Sequence, residues 1–156
     1  MKNCSKYCMR FSALVEIIFR GRRELAAVAD SSFLIALLKG EKWAEDFWEE
    51  TRKGRRIYVS TVSLAMASMG LWRKGEGGLM DVLIAALKQA LNVSIVLLDV
   101  KIALEAGRLM HSMRSDLEEG AVIATAFLKD CEIVVTKSEK LAEAARKHGL
   151  KVVAPG

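Results

Sequence analysis

The sequence predicts a three-layer α/β/α domain built on a parallel sheet of about five strands. Short apolar runs alternate with longer segments of helical periodicity from Leu25 to the end of the chain. The apolar runs are continuous and not alternating, which indicates strands covered by helices on both faces. The single proline, Pro155, lies at the extreme end, so no proline linker divides residues 25–156. We therefore expect one α/β domain over 25–156, preceded by an extension over 1–24.

The first half of this domain is predicted to hold two strands and four helices. A strand over 26–30 leads into a helix over 31–39, which Gly40 ends. A second helix over 41–53 presents Trp43 and Phe47 inward, and a strand follows over 56–60. A helix capped by Thr61 or Ser63 runs to 73, and after a glycine-rich loop another helix covers 79–91.

The second half repeats the alternation. Strands are predicted over 94–98, 132–136 and 151–154. Helices are predicted from after Asp99 to 113, from a cap at Ser115 or Asp116 to 129, and over 138–148. Helical crossovers between successive strands require a parallel sheet.

Composition limits the class of protein. A chain of 156 residues with 52% hydrophobic and 28% charged residues is long enough to fold around its own core. Residues 1–25 carry +4 of the net charge of +5, so the rest of the chain is nearly neutral. The bulk charge is therefore weak evidence for nucleic-acid binding. The pattern over residues 11–19 predicts a short amphipathic helix. The extension that contains it docks on the domain, binds a partner, or results from a start codon assigned too early.

Three cysteines do not make a disulfide framework, and the two histidines lack zinc-ligand spacing to them. The odd number of cysteines is compatible with a reducing cytoplasm, where we expect the protein. No apolar stretch reaches the ~18 residues that span a membrane, so no membrane partner is expected.

Polar side chains follow four of the predicted strands. Asp30, Ser60, Asp99 and Thr136 should share one edge of a parallel sheet, where such sheets bind ligands. Glu118 and Glu119 begin a helix whose next residues are small, which would let it pack closely and bring its acids toward Asp30. Two neighbouring carboxylates are the minimum for a Mg²⁺ or Mn²⁺ site. A simpler role for Asp30 is to cap the helix that follows it.

Three segments resemble PIN-domain nucleases, above all the VapC toxins of type II toxin–antitoxin pairs. They are AVADSSFLIALLKGE, YVSTVSLAMASMGLWR and EGAVIATAFLKDCEIVVTKSEKL. The three segments occur in the order that the family has, and the resemblance spans about residues 26–154. The resemblance implies that residues 25–156 form a PIN-like domain, a metal-dependent ribonuclease whose acidic pocket holds Mg²⁺ or Mn²⁺. It also implies a homodimer, RNA as substrate and an antitoxin partner.

The resemblance places four acidic positions on this chain. The first matches Asp30 and the third matches Glu119, which are the expected catalytic and metal-binding residues. The second falls on Met66 and the fourth on Ser138, neither of which carries a charge. Metal binding should therefore be weak, with Glu118, Asp116 or Glu139 as substitutes of which at most one points inward.

Further residues are expected to support this site. Ser32, Thr136, Ser138 and Glu139 follow or precede the acidic positions and could assist them. Arg52, Lys53, Arg55 and Arg56 form a basic cluster before the second strand. The cluster is a candidate RNA-binding surface, or an ordinary helix end whose cations suit the helix dipole.

Three functions are compatible with these residues. The first is a metal-dependent endoribonuclease of the toxin type. The second, suggested by Met66 and Ser138, is a catalytically impaired PIN-like domain that binds RNA or protein. The third is a receiver-type signalling domain with Asp99 as phosphoacceptor and Thr136 as switch, although Asp30 lacks the paired acid that such domains have.

Overall fold

The computed structural model describes residues 25–156, so the expectations for the extension over 1–24 lie outside the described residues. Its strands are β1 (Ala27–Ala29), β2 (Ile57–Ser60), β3 (Val93–Val96), β4 (Ile133–Val135) and β5 (Lys151–Val153). Its helices are α1 (Ser31–Leu38), α2 (Lys42–Thr51), α3 (Thr61–Arg73), α4 (Leu79–Gln89), α5 (Val100–Met113), α6 (Leu117–Leu128) and α7 (Glu139–Lys147).

All strand pairs are parallel, in the order β3-β2-β1-β4-β5. The register aligns Ala29 with Val59 on one side and with Val135 on the other. Asp30, Ser60 and Thr136 are the next residues along these strands, so the register confirms that they stand side by side at one edge. The central strand β1 supplies the middle residue of the three.

Helices cover both faces of the sheet, which confirms the predicted three layers. One face packs α1, α2 and α4 against Ala27, Ala29 and Ile57. The opposite face packs α5, α6 and α7 against Val28 and Val134. Burial on both faces explains why the central strands consist of unbroken apolar residues.

The edge strands differ from the central ones. β3 is only half-buried over most of its length, and β5 begins with an exposed Lys151. The strand predicted over 94–98 ends earlier, because Leu97 and Leu98 have already left the sheet and are exposed. The other elements agree with the predictions to within two residues at each end.

Helix α6 is the most buried helix and rests closely on α5. Every residue from Gly120 to Ala126 is buried. A Cβ on Gly120 would lie 2.8 Å from the Ala106 carbonyl oxygen and 2.8 Å from Cγ of Met110. The absence of a side chain at Gly120 therefore lets the two helix backbones approach, as the small residues of this segment predict.

No helix within residues 25–156 combines the length and apolarity needed to cross a lipid bilayer.

Candidate metal centre

Asp30 lies between β1 and α1 and is only 3% exposed. Its Oδ1 accepts hydrogen bonds from the Ser32 hydroxyl at 2.7 Å and from the Phe33 amide at 3.0 Å. Its Oδ2 accepts a hydrogen bond from the Thr136 hydroxyl at 2.5 Å. Asp30 thus caps α1, as the simpler interpretation predicts, but it is also anchored across the sheet by the end of β4.

Glu118 is the acidic residue that the tertiary structure brings to Asp30. Its two carboxylate oxygens accept hydrogen bonds from Ser31, one from the amide at 2.8 Å and one from the hydroxyl at 2.9 Å. Ser31 is the neighbour of Asp30 and the first residue of α1. The first turn of α6 therefore meets the first turn of α1 at the edge of the sheet.

The environment of both carboxyl groups disfavours their charge. Burial raises the pKa of Asp30, against the opposing effect of the hydrogen bonds from Thr136 and Ser32. Burial also raises the pKa of Glu118, and the negative charge of Asp30 raises it further. Within residues 25–156 no Lys or Arg forms an ion pair with either carboxylate. Two acids without a counter-charge make this a place where a cation would be favourable.

Glu119, the expected partner of Asp30, lies in another environment. Its carboxylate accepts a hydrogen bond from the Asp116 amide at 3.2 Å, while the Asp116 carboxylate accepts one from the Glu119 amide at 3.0 Å. Glu119 also pairs with Lys140 at 3.3 Å. These reciprocal bonds form a capping box that satisfies the start of α6. The Glu119 side chain is therefore used in the cap and in the ion pair with Lys140, and the structure brings Glu118 to the residue beside Asp30.

The sequence carries a signal for this use of Glu119. An acid or hydroxyl residue followed three positions later by glutamate is the pattern of a capping box, and Asp116 and Glu119 have that spacing. Adjacent helical residues point about 100° apart. Assigning Glu119 to the cap would have directed Glu118 toward Asp30.

The other expected site residues separate into two groups. Ser32 and Thr136 contact Asp30 directly, and Thr136 in turn accepts a hydrogen bond from the Ser138 amide at 2.9 Å. The Ser138 hydroxyl caps α7 by accepting from the Leu141 amide, and Glu139 is exposed. Met66 is half-buried and packs on the apolar core. Among these, only Ser32 and Thr136 therefore have side chains that reach the carboxylate.

The basic cluster lies at the opposite edge of the sheet from Asp30, where the strands begin. Arg52, Lys53, Arg55 and Arg56 precede β2 and so lie at its amino end, whereas Asp30 follows the carboxyl end of β1. Arg52 pairs with Glu49, and Arg55 lies over the Phe47 ring and pairs with Glu50. The structure does not bring this cluster to the acidic pair. These contacts agree with the other interpretation of the cluster, an ordinary helix end that carries basic side chains.

Asp99 does not join the acidic pair either. It is exposed, lies three residues beyond the end of β3, and accepts a hydrogen bond from the Ile102 amide at 2.8 Å. It therefore caps α5. The expectation that it stands in line with Asp30 at the sheet edge is corrected, because the chain leaves the sheet after Val96.

The residues present fit a weakly held divalent cation. No group of three or more His, Cys, Asp or Glu side chains within residues 25–156 is arranged as a metal cluster. Magnesium, however, is commonly held by one or two carboxylates together with water and substrate phosphate. Asp30, which is buried, and Glu118, which is half-buried, supply those two carboxylates, and neither has a basic partner in the described part of the chain.

The parallel order β3-β2-β1-β4-β5, with acids at the carboxyl ends of the strands, defines an α/β domain with a candidate metal-binding edge. A family model for the PIN domain matches residues 27–147, and the chain belongs to this family. No curated protein sequence matches the chain significantly.

Solved structures share the fold at low sequence identity. A toxin–antitoxin complex from Klebsiella pneumoniae aligns with a TM-score of 0.64 and 22% identity, covering 83% of this chain and 98% of that one. VapBC2 from Rickettsia felis, bound to a DNA fragment from its promoter, aligns with a TM-score of 0.65 and 13% identity over 84% and 99% of the two chains. The Mycobacterium tuberculosis toxin VapC20, which cleaves the sarcin-ricin loop, aligns with a TM-score of 0.64 and 17% identity over 76% and 94%.

Proposed function

We propose that this protein is a metal-dependent endoribonuclease of the toxin type, acting through Asp30 and Glu118. The observation that carries the proposal is the pairing of the buried Asp30 carboxylate with the half-buried Glu118 carboxylate, neither of which has a basic partner within residues 25–156. Leaving two acids uncompensated costs stability, which is a common property of sites that bind a ligand. Membership of the PIN family supports the nuclease class.

The residues around the pair prepare it for a cation. Ser32 and Thr136 fix the orientation of Asp30, and Ser31 fixes that of Glu118. A bound Mg²⁺ or Mn²⁺ would activate water for attack on a phosphodiester and stabilise the departing oxygen. Because hydrogen bonds already hold both carboxylates, little rearrangement is needed when the cation arrives.

Two lysines are better placed than the arginine cluster to meet RNA. Lys137 follows Thr136 directly, and Lys140 pairs with Glu119, the neighbour of Glu118. The Lys137 ammonium is shared with Glu41 at 3.0 Å and remains half-exposed. Lys137 follows a residue that contacts Asp30, and Lys140 pairs with the residue after Glu118, so we propose that both bind phosphates of the RNA near the scissile bond.

A matched pair of variants tests the proposal. The wild type should cleave structured RNA in the presence of Mn²⁺ and should stop when the metal is chelated. Glu118→Gln should lower the cleavage rate by roughly 10- to 100-fold, since it removes one of two cation-binding carboxylates. Glu119→Gln should stay within a few-fold of the wild type, because glutamine can also complete a capping box. Rates are measured on an end-labelled RNA.

Three results would contradict this assignment. A loss in Glu119→Gln without a loss in Glu118→Gln would return the role to Glu119, and an equal loss in both variants would remove the distinction between the two residues. A wild type that does not cleave RNA would overturn the nuclease function. In that last case the alternative stands, a catalytically impaired PIN-like domain that binds RNA or protein. Met66, which packs on the core, and Ser138, which caps α7, favour that alternative, since neither contributes a charge to the site.

We further propose a cytoplasmic antitoxin as protein partner. The Klebsiella structure that shares this fold is a toxin–antitoxin complex, which supports the proposal. An antitoxin would act by covering the carboxylate pair or by neutralising the lysines beside it. Co-expression with the product of the neighbouring reading frame should then yield a complex without RNA cleavage.

The proposed homodimer has a candidate surface. Leu97, Val100 and Leu104 are between 70% and 76% exposed and lie together where β3 leads into α5. Leu104→Glu should convert a protein with the mass of two chains into one with the mass of a single chain, because it places a charge in an apolar contact. Leu91→Glu, at a fully exposed site before β3, should leave the mass unchanged. Sedimentation equilibrium measures both, and a wild type with the mass of a single chain would contradict the dimer.

A further inference from the structure

Near the candidate site, the hydroxyl of Ser63 in the first turn of α3 lacks a hydrogen-bond partner among the described residues. The residue is fully buried, and its hydroxyl makes no hydrogen bond of acceptable geometry. The only other buried side-chain oxygen or nitrogen in this condition within residues 25–156 is the Ser115 hydroxyl. A buried hydroxyl without a partner costs free energy, so its presence calls for a function or for a ligand.

The position of Ser63 directs it toward the acidic pair. Helix α3 begins directly after Ser60, which stands beside Asp30 at the sheet edge. The Ser63 hydroxyl lies near the Glu118 carboxylate and opposes the burial that raises the pKa of that carboxyl, but the two groups make no hydrogen bond of acceptable geometry.

Helix α3 contains no acidic residue. Met66 lies three residues after Ser63 and therefore on the same face of the helix. Its thioether is a soft group that Mg²⁺ and Mn²⁺ do not favour, whereas a hydroxyl is a hard oxygen donor of the kind that binds Mg²⁺ in phosphate-binding loops. Asp30 and Glu118 alone leave a divalent cation short of protein ligands.

We propose that the Ser63 hydroxyl is a third oxygen ligand of the cation site formed by Asp30 and Glu118. The inference rests on the proposed function and adds a residue from a third element to it. It accounts for the missing hydrogen bond, because the lone pairs of the hydroxyl are those that a cation would use. It also explains how α3 contributes to the site although position 66 is a methionine.

Mn²⁺ binding by the full chain tests this ligand without requiring RNA cleavage. Free Mn²⁺ is followed by electron paramagnetic resonance during titration of the wild type, Ser63→Ala and Ser115→Ala. Both variants remove a buried hydroxyl without a partner, so their effects on stability should be similar. We expect Ser63→Ala to weaken Mn²⁺ binding roughly 10-fold and Ser115→Ala to bind like the wild type.

The outcomes separate the two proposals. A wild type that binds no Mn²⁺ would overturn the proposed function and this inference with it. A wild type that binds Mn²⁺ with the same affinity as Ser63→Ala would overturn the ligand alone. Equal weakening in Ser63→Ala and Ser115→Ala would also overturn it, since the effect would then be structural.

A change of metal preference provides a second test, which also covers an unstable alanine variant. Ser63→Cys replaces a hard oxygen by a soft sulfur at the same position. This variant should lose Mn²⁺ affinity and gain one cadmium–thiolate bond, seen by ultraviolet charge-transfer absorbance, over the wild type and Ser115→Cys. If Ser63→Cys binds Cd²⁺ no better than Ser115→Cys, Ser63 is not a direct ligand.

Discussion

Replacing Asp30 by asparagine should abolish RNA cleavage and at the same time stabilise the metal-free protein. Asp30 accepts hydrogen bonds from three residues and anchors the carboxylate pair. Without its charge the site retains only Glu118, and we expect the rate to fall by at least roughly 100-fold. Asparagine caps helices as well as aspartate does, so the start of α1 should be preserved.

The gain in stability follows from the pKa of Asp30. Burial raises this pKa above its usual value of 3.8, so between that value and the raised one the folded protein binds a proton that the unfolded chain has lost. The free energy of unfolding of the wild type therefore falls as the pH rises through this window. Asparagine has no such loss, and at neutral pH it should be more stable by about 0.5–2 kcal/mol.

Thermal unfolding with and without Mn²⁺ measures both the stability of the metal-free protein and the binding of the metal. Mn²⁺ should raise the unfolding temperature of the wild type by binding the folded state, and it should have little effect on Asp30→Asn. Asp99→Asn is the matched control, since it makes the same change at an exposed helix cap. If Asp30→Asn is less stable than the wild type at neutral pH, the carboxylate stabilises the fold, and burial of its charge does not lower the free energy of unfolding as we expect.

Replacing Gly120 by alanine should destabilise the fold, although alanine favours helices. The new Cβ would lie 2.8 Å from both the Ala106 carbonyl oxygen and Cγ of Met110, so α5 and α6 must separate. We expect a loss of about 1–3 kcal/mol in the free energy of unfolding, as for other overpacked cores, and a larger loss for Gly120→Val. The separation would also move the first turn of α6, which carries Glu118, and lower Mn²⁺ affinity.

Gly107→Ala is the control for this prediction. Gly107 lies in the interior of α5 and is exposed, and a Cβ added to it would meet no neighbouring atom within 4 Å. The same substitution there should raise the free energy of unfolding by about 0.5–1 kcal/mol, because only helix propensity changes. Urea denaturation of both variants gives the two values. Destabilisation by both, to a similar extent, would contradict the assigned close contact at Gly120.

The alternation of strands and helices could be predicted because it depends on local patterns. The apolar runs around Val28 and Val134 mark strands covered on both faces, and Asp116 and Ser138 mark helix starts. The edge strand β3 ends earlier than its apolar residues predict. Leu97 and Leu98 are as apolar as the residues of a buried strand, and only the tertiary structure shows that they are exposed.

The candidate site was only partly accessible to the same reasoning. Asp30 follows from the rule that ligands gather at the carboxyl ends of parallel strands, and the same rule would have placed the cluster around Arg55 at the opposite edge. The choice between Glu118 and Glu119 depended on which one caps its helix. Ser63 carries no signal in the sequence, because a serine in the first turn of a helix is ordinary.

The sequence by itself determined the class of fold, the order of its elements and the first acidic residue, since short-range periodicity and strand ends specify these. Only the tertiary structure decided that Glu118 joins Asp30, that Glu119 serves the cap with Asp116, and that Ser63 is left without a hydrogen-bond partner. The physical reason is that a carboxylate's neighbours come from different elements. Which oxygen meets which donor depends on how closely α6 packs on α5 and on the sheet, and distant residues set that distance.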